Sequence, residues 1–148
     1  MPRMPPRERQ TLLGALAACL APRPEILEGY LFGSHARGDA QQHSDIDVAV
    51  YIDRDHTPDS AFGYVAELTT ELIRTLHHDA VDVVVLNRAS PLLYHRVLRD
   101  GIRVVSRDLA ATTAREGRAL SRYCDFVPHL RKLDTANAAR IKTGVFGR

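Results

Sequence analysis

The sequence predicts an α/β fold, a small mixed β-sheet flanked by helices. Three observations predict it. Short β-branched runs such as Val48-Ala49-Val50 and Val81–Leu86 are interleaved with segments whose apolar residues recur at helical spacing. The first two apolar runs, ending at Phe32 and starting near Asp45, follow each other closely, which points to a mixed sheet. Finally, three acidic residues interrupt otherwise apolar strand starts: Asp45, Asp47 and Asp82.

Each element has its own signal. Leu12, Leu13, Leu16 and Leu20 mark an amphipathic helix over 7–21, and Ala21-Pro-Arg-Pro24 stops it because proline removes a donor. Ile26–Phe32 is a first strand. A short helical turn over Ser34–Gly38 and a polar loop over Asp39–His43 lead to a second strand, Asp45–Ile52. Asp59 is a candidate N-cap for a helix carrying Phe62, Val65, Leu68, Leu72, Ile73 and Leu76. Val81–Leu86 is a third strand, Ser90–Arg99 a short helix with Pro91 early, and Gly101 its end. Ile102–Val105 is a fourth strand. A long helix over Asp108–Leu130 has the apolar stripe Leu120, Tyr123, Val127 and Leu130, broken late by Pro128. The tail 131–148 is basic, with five Lys/Arg against Asp134; it is helical in part or orders on a partner.

At 148 residues the chain forms one domain over 1–148, with 1–6 (MPRMPP) as a frayed terminus. A net charge of +2 is too small to argue for direct nucleic-acid binding. Cys19 and Cys124 lie far apart without metal spacing and read as free thiols. No apolar run approaches the roughly 20 residues of a membrane span. With no apolar leader in the Pro-rich start, the expected location is cytoplasmic.

The stretch Gly33–Val50, GSHARGDAQQHSDIDVAV, carries the chemistry. In an extended chain residues i and i+2 share a face, so Asp45 and Asp47 project together. Paired carboxylates repel unless a cation sits between them, and oxygen ligands suit a divalent ion. Asp82 joins them if the second and third strands pair. Two ions held this way serve in-line displacement at phosphorus. The Gly33-Ser34 turn presents N–H groups and a hydroxyl to a triphosphate, Arg37 offsets charge on departing pyrophosphate, and Ser44 donates to phosphate. Each part has a bland reading: an Asp-x-Asp pair is usually a solvated strand end, and a lone Gly-Ser turn is weaker still. Their joint occurrence in this order makes the bland reading improbable.

Gly33-Ser34, ten residues, then Asp45-x-Asp47 resembles the signature of the DNA polymerase beta-like nucleotidyltransferase superfamily, and the wording of the stretch resembles its minimal nucleotidyltransferases. Asp82 in VDVVVL fits their third acidic position, and Tyr123-Cys-Asp125 resembles a Tyr-x-Asp found late in such proteins. The resemblance covers residues 26–127. It implies the polymerase beta-like fold, with Asp45, Asp47 and Asp82 as catalytic and metal-binding residues and Gly33, Ser34, Arg37 and Ser44 as nucleotide-binding ones. It further implies Mg²⁺ (two ions), ATP as substrate, and the antitoxin half of a HEPN/MNT toxin–antitoxin pair. AMP would pass to a tyrosine hydroxyl of the HEPN ribonuclease toxin, the two proteins forming a hetero-oligomer. Alternatives are neutralisation by binding and occlusion without catalysis, and transfer to a small hydroxyl compound such as an aminoglycoside.

Other candidates read as bland. Arg88 and His95 superficially match an Arg-x-His ribonuclease spacing but flank Pro91 beside the sheet. His77-His78 favour a helix C-terminal dipole. His35 and His43 read as exposed loop residues, and Tyr123 as core.

Overall fold

The computed structural model describes residues 4–57 and 63–143; Asp59 and Phe62 lie outside them. Nine principal elements follow in order: α1 Pro6–Leu20, β1 Ile26–Phe32, α2 Gly33–Arg37, β2 Ile46–Ile52, α3 Tyr64–Leu76, β3 Val81–Val85, α4 Pro91–Asp100, β4 Ile102–Ser106 and α5 Leu109–Thr143. The four strands form one sheet in the order β3-β2-β1-β4. β1 runs antiparallel to β2 and β4, while β2 and β3 are parallel. The sheet is therefore mixed, as the closeness of β1 and β2 suggests.

Alternation along β2 divides the molecule into two layers. Ile46, Val48, Val50 and Ile52 join Leu16 and Leu20 of α1 and Leu68 and Leu72 of α3 in one apolar cluster. Each fully buried leucine there contributes about 1.5–3 kcal/mol of transfer free energy. The opposite residues, Ala49 and Tyr51, pack with Tyr30, Phe32, Tyr94, Val97 and Ala119 beneath α4 and α5. Polar contacts thread this second layer. Glu28 is fully buried and receives a hydrogen bond from Thr112 and an ion pair from Arg115. The Tyr30 hydroxyl donates to Glu116 at 2.7 Å, and Arg103 reaches the same carboxylate at 3.0 Å.

Caps and corners follow local chemistry. Ser90 accepts from the Leu93 N–H at the start of α4, with Pro91 at the first turn. Asp108 accepts from the Ala111 N–H at the start of α5. Arg107 donates to the carbonyls of Leu20, Ala21, Arg23 and Ile26, tying the β4–α5 corner to the end of α1.

α5 differs in part from its expected form. It runs past Leu130 to Thr143, with Pro128 inside it, so the tail is helical in part, one of the two expected alternatives. Its stripe, however, is not core: Leu120 is 44% exposed, and Tyr123 is half-buried and stacked on His95 at 3.6 Å between ring centroids. The sheet is too short to cover so long a helix, so its apolar positions run past their partners.

Candidate active site

The acidic residues meet where three strands present adjacent ends. Phe32, the last residue of β1, pairs with Asp47, and Asp47 registers with Asp82 across the parallel β2–β3 pair. Neighbouring strands lie about 4.8 Å apart, so the two carboxylates issue side by side from one face. Asp45 lies just before β2, two residues ahead of Asp47. Asp45 and Asp82 are exposed, and Asp47 is half-buried.

Gly33 seats the turn against this group. Its φ is +71°, a left-handed conformation that side chains rarely adopt, and a Cβ there would lie 2.1 Å from the Asp47 Oδ2. The backbone thus rests directly on the carboxylate. Ser34 follows on the first turn of α2, and Gly38, at φ +84°, closes that turn by donating to the Ser34 carbonyl.

Electrostatics match the crowding. The Asp47 carboxyl is raised above its ordinary value of 3.8, chiefly by burial, then by the charges of Asp82 and Asp45, with His35 and Arg37 acting in the opposite sense. Among the described residues no group of three or more His, Cys, Asp or Glu side chains is drawn closely enough together to hold a metal ion. The donor chemistry nevertheless fits a hard divalent cation, since every candidate ligand is a carboxylate oxygen and the deficit at Asp47 is one that positive charge relieves.

The flanking residues are less free than the sequence suggests. Arg37 bridges Asp39 at 3.3 Å and Asp100 at 3.5 Å, which links α2 to the end of α4. The Ser44 oxygen accepts from the Gln41 N–H at 2.8 Å, leaving its hydroxyl proton to donate. His35 is a correction. It is not an exposed loop residue but only 5% exposed, with Nε2 3.1 Å from the Ser44 carbonyl and its ring edge-on to His78. Even one turn of helix needs an inner face, and His35 and Ala36 supply it. His35 thereby straps the Gly-Ser turn to the loop that delivers Asp45. His43 is exposed as expected. His77 takes the left-handed cap of α3 at φ 52°, and His78 contacts the Ala80 carbonyl at 2.9 Å. Arg88 sits on a 3₁₀ turn after β3 and His95 stacks on Tyr123 in the helical layer.

A mixed sheet with paired aspartates on adjacent strands beside a Gly-Ser turn defines the nucleotidyltransferase class. The family described as Polymerase beta, Nucleotidyltransferase matches residues 15–110, and the chain belongs to it. Among solved structures, a chain of a toxin–antitoxin complex with AMP-PNP is similar at 25% identity and a TM-score of 0.65, covering 88% of this chain and 98% of that one. A chain from the complex of tri-AMPylated Shewanella oneidensis HEPN toxin with MNT antitoxin is similar at 25% identity and a TM-score of 0.63, covering 90% and 98%. A chain of a mutant MntA-HpeT toxin–antitoxin shows 26% identity and a TM-score of 0.62 over 87% and 96%. No curated protein sequence matches. No helix among the described residues is long and apolar enough to cross a membrane.

Proposed function

We propose that this chain transfers AMP from ATP to a tyrosine hydroxyl of a cognate HEPN ribonuclease toxin, and neutralises the toxin by that modification within a hetero-oligomer in the cytoplasm. One observation carries the reading: Asp47 and Asp82 are registered on adjacent strands, with Asp45 beside them and the Gly33 backbone resting on Asp47. The similar chains described above come from toxin–antitoxin complexes, one with an ATP analogue and one with an AMPylated toxin, which supports ATP as donor and a HEPN protein as acceptor.

The residues divide the work. The acceptor oxygen attacks the α-phosphorus, the bond to the β-phosphate oxygen breaks, and pyrophosphate leaves as the hydroxyl proton passes towards Asp82. The Gly33-Ser34 turn holds the triphosphate through backbone N–H groups and the Ser34 hydroxyl. Arg37, at the rim, offsets negative charge on the leaving pyrophosphate, and Ser44 donates its hydroxyl proton to a phosphate oxygen. Asp45, Asp47 and Asp82 would hold Mg²⁺, two ions when fully loaded, which would supply charge stabilisation at the phosphoryl oxygens and would acidify the acceptor hydroxyl. Attached AMP adds bulk and a negative phosphodiester where the toxin must meet RNA, a polyanion.

Mass spectrometry of the co-expressed toxin tests the proposal. AMP adducts on tyrosine are expected with the native chain and a strongly reduced yield with Asp47→Asn. Should the Asp45→Asn, Asp47→Asn double variant still rescue cells with an unmodified toxin, neutralisation is by occlusion and the transfer reading fails.

A further inference from the structure

We propose that the cleft between α5 and the end of β2 is a binding site for a single phosphoryl group, separate from the aspartate cluster. The cleft has a volume of about 70 Å³ and is lined by Tyr51, Asn87, Tyr94, Arg115, Arg118 and Arg122 among others. Its size admits a few waters or one small oxyanion.

Two independent observations converge there. The first is an unsatisfied donor. Tyr94 is only 4% exposed, and its buried hydroxyl has no hydrogen-bond partner. Burial first, and then the charge of Glu28, pushes its pKa up to about 12, so near neutrality the phenol keeps its proton and can donate. A buried donor without a partner is costly enough that native structures nearly always supply one.

The second is unbalanced positive charge. Arg115, Arg118 and Arg122 recur at helical spacing on one side of α5. Arg115 is neutralised: its Nε lies 2.6 Å from the Glu28 carboxylate, and its guanidinium sits 5.0 Å over the Tyr51 ring. Arg118 and Arg122 make no ion pair among the described residues, and like charges four apart on a helix repel. One oxyanion bound between them and Tyr94 would settle both problems. Guanidinium groups match the geometry of phosphate oxygens by paired N–H donation. Asn87 closes the cleft as a rigid wall, since its amide is committed to the Ile52 backbone at 2.8 and 2.9 Å.

Position gives the site meaning. Tyr51 lies four residues beyond Asp47 on β2, hence on the same face and about 13 Å away at 3.3 Å per residue. A phosphoryl group held there is beyond reach of the carboxylates themselves but on the surface they share. Its source is either a free ion, such as phosphate or pyrophosphate, or a nucleotide monophosphate.

The test uses the full chain with inorganic phosphate, pyrophosphate and AMP in turn, read by amide chemical shifts against chloride at matched ionic strength. Saturable shifts are expected at Asn87, Arg118 and Arg122, and they persist in Asp47→Asn, which keeps the result apart from the transferase reading. Saturation by AMP assigns the site to a nucleotide, and saturation by the inorganic ions alone assigns it to a free anion. The R118Q/R122Q variant should abolish saturation. Tyr94→Phe should weaken binding roughly tenfold without changing the fold's circular dichroism. The proposal is overturned if none of the three anions saturates, if R118Q/R122Q binds as the native chain does, or if Arg96→Gln, a change on the exposed side of α4, weakens binding equally. Unchanged affinity in Tyr94→Phe also overturns it, because the unpartnered hydroxyl would then take no part in holding the anion.

Discussion

The two faces of the sheet are built on opposite principles. The face under α1 and α3 is almost purely apolar, with Leu16, Leu20, Ile26, Leu31, Val48, Val50, Leu68 and Leu72 in one cluster. The face under α4 and α5 shares the same strands but buries Glu28 against Arg115 and Thr112, ties Tyr30 to Glu116, and ends in Asp47 and Asp82. Strand alternation makes the division possible, because one residue of each pair can be given to cohesion and the next to chemistry. The lesson is that a small domain can carry a crowded anionic site when the other half of every strand supplies stability.

The sharpest way to break that comparison is to change each face singly. Asp47→Asn should lower AMP transfer by on the order of 10²–10³-fold while leaving the chain folded, as measured by single-turnover labelling of the toxin. Leu72→Ala, on the apolar face, should do the reverse. It should cost about 2–5 kcal/mol in urea unfolding with the turnover rate of the remaining folded protein unchanged. If Leu72→Ala instead alters turnover in the folded fraction, the faces are not independent.

Glu28→Gln probes the polar contacts of the second face. It leaves Arg115 partly buried without its counter-charge, and the expected loss of stability is about 3 kcal/mol. Double substitution of Glu28 and Arg115 by apolar residues should recover most of that loss. Failure to recover would mean that the pair fixes the position of α5 over the sheet rather than neutralising a charge.

How much of this the sequence discloses depends on the range of the interaction. The strands and the closeness of β1 and β2 follow from local pattern, since apolar runs and acidic interruptions lie in short windows, whereas the β2–β3 pairing that brings Asp47 beside Asp82 joins residues 35 apart and is conditional until the sheet is seen. Glu28 is hidden too. Its burial depends on Arg115 and Thr112, more than eighty residues away, and nothing within ILEGYLF announces those partners. The fan of hydrogen bonds from Arg107 to the end of α1 is hidden for the same reason. The burial of His35 is hidden because a five-residue helix has too few positions to show a period. The length of α5 is open in the sequence because the polar, basic tail after Leu130 has no apolar period to choose between helix and a partner-ordered segment, while Pro128 is tolerated in a surface helix where water can reach the freed carbonyl.

The smallest expected effect tests the electrostatics of the site itself. Asp47 is held above its ordinary value of 3.8 in the folded chain, first by burial and then by Asp82 and Asp45. A raised carboxyl means the folded state binds the proton more tightly than the unfolded chain does. Stability therefore falls as pH rises through the window that opens near 3.8 and closes at the raised folded value, and above that window the full cost is present. Asp47→Asn removes the cost. In a chelator, the variant should melt higher than the native chain near neutral pH, and its advantage should shrink as pH is lowered through the window. Mg²⁺ added at neutral pH should narrow the same gap by stabilising only the native carboxylate. Because Asp47 is partly open to solvent, screening keeps the difference small, so the pH trend is the informative quantity. An advantage that stays constant from neutral to acidic pH would show that the asparagine helps by packing against Gly33 and not by relieving charge.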